Sequence, residues 1–354
     1  MNTVKVVIWG FGAMGSGIAK SLLSKKGVEI VGVCDRRPYR VNKDIFELLE
    51  LERGDRPQVI VKDKIEEVLS AKCCDICVIT TDSFVEKAFD RMVKVLSYGV
   101  NIITIAEEMA YPSAQHPELA KELDKAAKEN GVSILGTGIN PGLVMDLLAI
   151  CLSGCMTDVE SVTCKRVNSL SPFGAAVMRE QGVGLEPEEF NRKCEDGSVV
   201  GHVGFAESVR MISDALGLGV DSFKQESSPI ITSVDRKSPY GFAAAGSVCG
   251  VDMHGWGLKD GKAVINMEHP QQIEPEDGGV QTGDYIILKG SPEVNMRINP
   301  EISGGVGTIA MAVNCIPHVI NAAPGLKTMI DIPVPRAIMG DFRDLIDPVK
   351  KIVN

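Results

Sequence analysis

Short apolar runs and longer amphipathic stretches alternate through the first half of the chain. Val4–Trp9 is long enough for one buried strand, and Val28–Cys34, Gln58–Val61, Cys74–Ile79, Val100–Ile105 and Val132–Leu135 repeat the pattern. Between them, helical spacing predicts helices over Ala13–Ser24, Arg40–Glu52, Asp63–Ser70, Phe84–Ser97 and His116–Asn130, the last closed by Gly131. A further helix follows Gly136–Gly142 and runs through Leu152. Strands that alternate with helices in this way predict a doubly wound parallel sheet.

The pattern changes near residue 157. Asp158–Asn168 alternates as a strand does, and Ser169–Gly204 is rich in glycine and charge, with a short helix expected over Glu186–Cys194. Phe205–Leu216 reads as a helix ending at Gly217. Strand-like runs then dominate at Ile230–Val234, Ala243–Trp256, Lys262–Glu268, Asp284–Leu288 and Val294–Ile298, before a last helix over Gly304–Ile320. The expected fold is therefore α/β: an N-terminal Rossmann doubly wound parallel sheet plus an α+β second domain with a mixed or antiparallel sheet. The expected boundaries are 1–140, 141–303 for substrate binding and oligomerisation, and 304–354 for a helix and tail packing back on the first domain.

Composition narrows the classes. A net charge of −10 argues against an electrostatic nucleic-acid footprint. No apolar stretch has membrane-spanning length, and Met1-Asn2-Thr3 runs directly into the first strand, so neither a membrane anchor nor a signal peptide is expected. The ten cysteines are scattered through apolar surroundings, as buried free thiols of a reducing cytoplasm are. Cys74 and Cys77 have C-x-x-C spacing but open a strand, and no His/Cys set matches a metal spacing, so no metal is expected.

The loops after the strands carry the candidate chemistry. Gly10-Phe11-Gly12-Ala13-Met14-Gly15 lies between the first strand and the first helix, and Asp35 closes the second strand. Strand, G-x-G-x-x-G, helix, strand and acid in this order form a dinucleotide fingerprint, with the pyrophosphate at the helix N-terminus. Asp35 on the ribose hydroxyls favours NAD; Arg36 and Arg37 beside it keep NADP open, or are simply a solvated loop. Ligands of such sheets bind beyond the C-terminal strand ends. Thr80, Thr81 and Asp82 are expected along the nicotinamide-side ribose, and Ala106 and Glu107 near the ring.

The Rossmann unit, the GTGINPG segment at 136–142 and the α+β second half resemble the dihydrodipicolinate reductase and diaminopimelate dehydrogenase superfamily. The paired His, Lys and PSGT segment of the reductases is missing: that place reads Lys165-Arg166-Val167-Asn168-Ser169-Leu170-Ser171-Pro172. AEEMAYP (106–112), GTGINPG, EQGVGLEPEEF (180–190) and GHVGFAES (201–208) together resemble the 2,4-diaminopentanoate dehydrogenases. That resemblance implies oxidative deamination of a diamino acid at C4 with NAD or NADP, as a homodimer or higher homo-oligomer. Another amino-acid dehydrogenase of the same fold, or a non-catalytic NAD(P) sensor, stays open as an alternative.

Oxidising an amine by hydride loss requires a neutral amine, so a base must take the ammonium proton. His202, flanked by Gly201 and Gly204, is one candidate, with a loop histidine as its alternative. Glu108, one residue past the expected ring contact, is the other, with a first-turn helix acid as its alternative. Asn140 is expected to orient substrate or the nicotinamide amide, or to cap a helix. Lys165, Arg166 and Arg179 are candidates for holding a carboxylate, or else outward strand and loop cations. His116, His254, His269 and His318 are read as structural.

Overall fold

The computed structural model describes residues 3–350. The chain forms two units: one runs to Gly142 and resumes at Gly304, and the other is Leu143–Ser303.

The first unit opens with β1 (Val4–Trp9), α1 (Ala13–Leu23), β2 (Val28–Cys34), α2 (Ile45–Leu49) and β3 (Val61–Lys62). It continues with β4 (Ile76–Ile79), α3 (Val85–Ser97), β5 (Asn101–Thr104), α4 (Pro117–Glu129) and β6 (Ser133–Gly136). The second unit contains α5 (Leu147–Ser153), β7 (Asp158–Ser169), α6 (Ala175–Glu180), α7 (Pro187–Glu195), α8 (Phe205–Leu216) and β8 (Ser222–Ile231). It ends with β9 (Arg236–Lys237), β10 (Phe242–Ala243), β11 (Val248–Lys259), β12 (Lys262–Gln272), β13 (Gly283–Ser291) and β14 (Val294–Ile298). α9 (Gly304–Asn321) and β15 (Gly325–Lys327) return to the first unit.

The first sheet has the order β15-β6-β5-β4-β1-β2-β3, and every neighbouring pair is parallel. Its central strands are mostly apolar because helices cover both faces: Val6, Val7, Ile8 and all four residues of β4 are buried. α3 buries Val85, Ala88, Met92, Val95 and Leu96 at three- and four-residue spacing. Each large apolar side chain so removed from water contributes roughly 1.5–3 kcal/mol. α9 packs on α1, where Ile309 occupies the space over Gly17: a Cβ on that glycine would come within 2.2 Å of Ile309 Cδ1. The strand order reverses between β1 and β4, which defines a crevice at their carboxyl ends.

Three local expectations shorten. The helix expected over Arg40–Glu52 is only Ile45–Leu49, because Asp44 caps it by accepting the Phe46 N–H at 3.3 Å and the residues before it form turns. The Gln58–Val61 strand moves to Val61–Lys62, and Asp63–Ser70 contracts to a 3-10 turn at Ile65–Glu67.

The second sheet has the order β14-β13-β7-β12-β11-β8; β7 and β12 are parallel, and the other neighbours antiparallel. One face buries Val162, Cys164, Met253, Ile265, Met267, Ile286 and Leu288, and α5 and α8 pack against its strands. The strand expected at Ile230–Val234 is Ser222–Ile231 instead, an edge strand whose first seven residues are exposed. Ala243–Trp256 splits into β10 and β11 because a turn closes between Ala244 and Ser247, whose N–H donates to the Ala244 carbonyl at 2.9 Å.

Candidate active site

The glycine turn is held from both sides. Gly10, at φ +102°, donates its N–H to the Cys34 carbonyl at 2.8 Å, and its own carbonyl accepts Thr80 Oγ1–H at 2.8 Å. α1 then starts so close to the turn that a Cβ on Gly15 would stand 1.9 Å from the Gly10 carbonyl oxygen. Gly12 caps α1 without any side-chain bond, the first turn has no acidic residue, and a Cβ on Gly12 would meet nothing within 4 Å. No side chain caps the start of α1 and the space over Gly12 is open, which fits a pyrophosphate at this helix N-terminus.

Asp35 is buried and bonded at both oxygens. Oδ2 accepts the Phe11 N–H at 2.7 Å and stands 3.1 Å from Arg40 Nη1; Oδ1 accepts the Arg37 N–H at 2.8 Å. Arg36 is exposed, and Arg37 turns to the Tyr39 hydroxyl at 3.3 Å. Arg40, which no motif marks in the sequence, is the guanidinium beside Asp35. The Arg91 guanidinium holds Thr81 and Asp82 by hydrogen bond and ion pair. Ala106 is buried after β5 with Glu107 following it, and Asn140 is nearly buried in the turn after β6.

Glu108 ties two of these loops together. Its N–H donates to the Ser83 carbonyl at 3.2 Å, and its Oε2 accepts the Val85 N–H at 2.7 Å. Phe84, the N-cap of α3, supplies no side-chain bond, so the carboxylate caps that helix from 23 residues away. Oε2 also stands 3.3 Å from His116 Nε2.

The candidate residues of the second unit do not converge as a set. Alternation along β7 sends Lys165 and Arg166 to opposite faces. Lys165 is partly exposed and pairs with Glu268 at 3.0 Å. Arg166 is buried, not outward: Nη1 binds Asp284 Oδ1 at 2.6 Å and Nη2 donates to the Ile302 carbonyl. Its guanidinium is thus engaged within the protein. Burial holds Asp284 above the ordinary carboxylate value despite the Arg166 partner and the Ile302 N–H that it accepts. Arg179 is exposed on α6, lining a cavity of about 330 Å³ with Glu180, Lys193 and Ser198.

His202 lies with its ring centroid 4.7 Å from that of His269, edge to face, and its N–H meets Met253 Sδ at 2.9 Å. Desolvation, then the Arg166 charge, lowers His202 from 6.5 to about 3. His269, read as structural, is brought beside it. His269 Nε2 is 2.9 Å from Asn168 Oδ1, and its buried Nδ1 has no hydrogen-bond partner among the described residues. Burial, then the His202 and Arg166 charges, lowers His269 as well. β12 runs past the expected end at Glu268 to Gln272, so that His269 alternates with Met267 and Gln271 on its buried face and reaches Asn168, 101 positions away. Among the described residues, no group of three His, Cys, Asp or Glu side chains is placed to hold a metal ion, and no helix is long and apolar enough to cross a membrane.

Fold and coenzyme loops define an NAD-binding Rossmann oxidoreductase, and residues 4–137 match the model of the oxidoreductase family with that fold. Residues 143–348 match the 2,4-diaminopentanoate dehydrogenase C-terminal domain. The chain is 57% identical over 355 residues to the 2,4-diaminopentanoate dehydrogenase of Acetoanaerobium sticklandii, covering 100% of both chains. It is 24% identical over 359 residues to an amine dehydrogenase of Streptomyces virginiae, covering 95% of this chain and 98% of the relative. Among solved structures, the amine dehydrogenase of Mycobacterium smegmatis superposes with a TM-score of 0.82 at 30% identity, covering 95% of this chain and 98% of that one. The chain belongs to the 2,4-diaminopentanoate dehydrogenase family.

Proposed function

We propose that the chain catalyses the NAD(P)-dependent oxidative deamination of 2,4-diaminopentanoate at C4, giving 2-amino-4-oxopentanoate and ammonia. The observation that carries this is the 57% identity over the whole of both chains to the Acetoanaerobium sticklandii enzyme. Bound nicotinamide supplies the hydride acceptor. The glycine turn and the start of α1 would hold the pyrophosphate, Asp35 the adenosine ribose, and Thr80–Asp82 the second ribose, with Ala106 and Glu107 as the residues for the nicotinamide end.

Glu108 is the base that takes the substrate's ammonium proton. Its carboxylate is buried between the loops after β4 and β5, and the Val85 N–H fixes one oxygen. His202, held near 3, is neutral at working pH and serves as a hydrogen-bonding group rather than a proton acceptor. Asn140 orients substrate or the nicotinamide amide. Arg179 keeps an exposed cationic head that suits a carboxylate, Lys165 is already paired with Glu268, and Arg166 supports the polar end of its sheet from within.

The chain works as a homo-oligomer built on the second sheet, whose outer face leaves His254, Trp256 and Tyr285 half-buried. Its ten cysteines, unpaired, suit a reducing cytoplasm. A simple amine is a second candidate substrate, favoured by the likeness to the Mycobacterium smegmatis amine dehydrogenase.

The test is reduced-nicotinamide absorbance with purified protein, NAD or NADP, and a panel of 2,4-diaminopentanoate, diaminopimelate, aspartate and alkylamines. Turnover greatest on 2,4-diaminopentanoate is expected. Turnover confined to alkylamines transfers the assignment to the second substrate, and coenzyme binding with no turnover on any amine sinks both.

A further inference from the structure

We propose that His116 is a proton relay that carries the proton taken up by Glu108 out to solvent. This rests on the assignment of Glu108 as base. Substrate ammonium, oxidised coenzyme and water give ketone, ammonium, reduced coenzyme and one proton, so each turnover must export a proton. Glu108 is only 6% exposed, and one of its oxygens is bonded to the Val85 N–H. A carboxylate so enclosed needs an exit for that proton.

His116 stands where the exit must begin. Its Nε2 is 3.3 Å from Glu108 Oε2 and its Nδ1 is 3.8 Å from Glu86 Oε1. Exposure rises along the line, with side-chain values of 8% at Glu108, 22% at His116 and 74% at Glu86. The imidazole thus spans a buried carboxylate and a solvated one, on opposite edges of the ring. Its position is fixed by backbone: the His116 N–H donates to the Pro112 carbonyl at 2.9 Å, and the His116 carbonyl accepts the Ala120 N–H at 3.0 Å as α4 begins.

The step moves protons only. Glu108 gains the ammonium proton, passes it to Nε2, and Nδ1 releases one to Glu86 or to water. The ring regains its starting tautomer by exchange with water at its exposed edge. An imidazole is suited to this because one ring nitrogen can take up a proton while the other releases one. His116 touches neither substrate nor coenzyme in this scheme; it acts through Glu108.

The experiment compares His116→Gln with the native full-length enzyme under saturating NAD. The amide keeps a hydrogen bond to Glu108 but cannot carry a proton. kcat is expected to fall about tenfold or more, within the range of general acid–base effects. KM for substrate and Kd for NADH are expected to stay within about twofold of native, an effect below ~0.5 kcal/mol. Added imidazole is expected to restore part of kcat. A kcat within twofold of native, or a loss that imidazole leaves untouched, overturns the relay. Should His116→Gln fail to fold, His116→Asn is read in the same way. Glu108→Gln separates the two assignments: if it retains turnover, the base is wrong; if it is inactive while His116→Gln is native-like, only the relay is wrong.

Discussion

Arg40 Nη1 stands 3.1 Å from Asp35 Oδ2, the same oxygen that accepts the Phe11 N–H at 2.7 Å. Asp35, the acid proposed to meet the adenosine ribose, is therefore both anchored to the glycine turn and paired with a guanidinium. A bare carboxylate there would repel a 2′-phosphate; one paired with a guanidinium repels it less, and the guanidinium can turn to the phosphate itself.

Arg40→Ala is accordingly expected to weaken NADPH binding more than NADH binding. One hydrogen bond to a charged group contributes ~1.5–3 kcal/mol, so the NADPH-to-NADH ratio of dissociation constants should rise about tenfold or more. Fluorescence titration with both reduced coenzymes reads this directly. An equal loss for the two would deny Arg40 any part in the choice between them.

Gly12 and Gly15 separate binding from folding. A Cβ on Gly12 meets no protein atom within 4 Å, whereas one on Gly15 lands 1.9 Å from backbone oxygen of Gly10. Gly12→Ala is expected to keep native stability to within about 0.5 kcal/mol and to lose coenzyme affinity, because the methyl group occupies the pyrophosphate's approach. Gly15→Ala must push α1 away from the turn and is expected to cost about 1–3 kcal/mol of stability as well. Urea unfolding alongside NADH titration distinguishes the two; a Gly12→Ala protein that binds NADH normally would remove the pyrophosphate from this turn.

What could be read in advance follows range along the chain. Val4–Trp9, Gly10–Gly15 and Asp35 are legible because strand period, turn chemistry and the closing acid all lie within one βαβ unit. Ser222–Ile231 is not: it is an edge strand whose first seven residues are all exposed, so no buried face imposes alternation on SFKQESS. Gly325–Lys327 is too short to carry a period, and its strand character comes from pairing with Ser133–Leu135. The candidate site divides in the same way. Glu108 is visible as a residue beside a strand end, but its cap on Val85 and its contact with His116 depend on how three loops meet. Arg166 reads as one of three candidate cations with Lys165 and Arg179, and only the pairing of β7 with β13 reveals Asp284, 118 positions away, as its partner.

Acid should destabilise the protein through its imidazoles. The folded-state values of His202 and His269 both lie below the ordinary 6.5, His202 at about 3, while the unfolded chain protonates both near 6.5. Between about 3 and 6.5 the unfolded state therefore binds more protons at His202, so stability is complete above 6.5 and falls as pH drops through that window. Each such proton contributes a slope of up to ~1.4 kcal/mol per pH unit. Urea midpoints measured from neutral pH down to about 5 should show the decline, within the range where histidine dominates the titration. His269→Gln should flatten it by about one proton; an unchanged slope would mean that the imidazole is protonated in the folded protein.

The buried Arg166–Asp284 pair makes the last prediction. The two charges meet at 2.6 Å with only 2% of either side chain exposed, and the Ile302 N–H and carbonyl complete their hydrogen bonding. Arg166→Met leaves the Asp284 carboxylate unpaired in the same surroundings, where burial already holds it above its ordinary value. Breaking one side of such a pair typically costs about 3–5 kcal/mol, more than the pair contributes over an apolar replacement of both. Arg166→Met should therefore be much less stable to urea, and adding Asp284→Leu should recover part of the loss rather than deepen it. The same substitution removes a charge that depresses His202 and His269, so both should titrate nearer neutrality by NMR. Additive losses in the double variant would show that the guanidinium does not compensate Asp284, and imidazole titrations that do not move would show that burial alone, without the Arg166 charge, depresses the histidine pair.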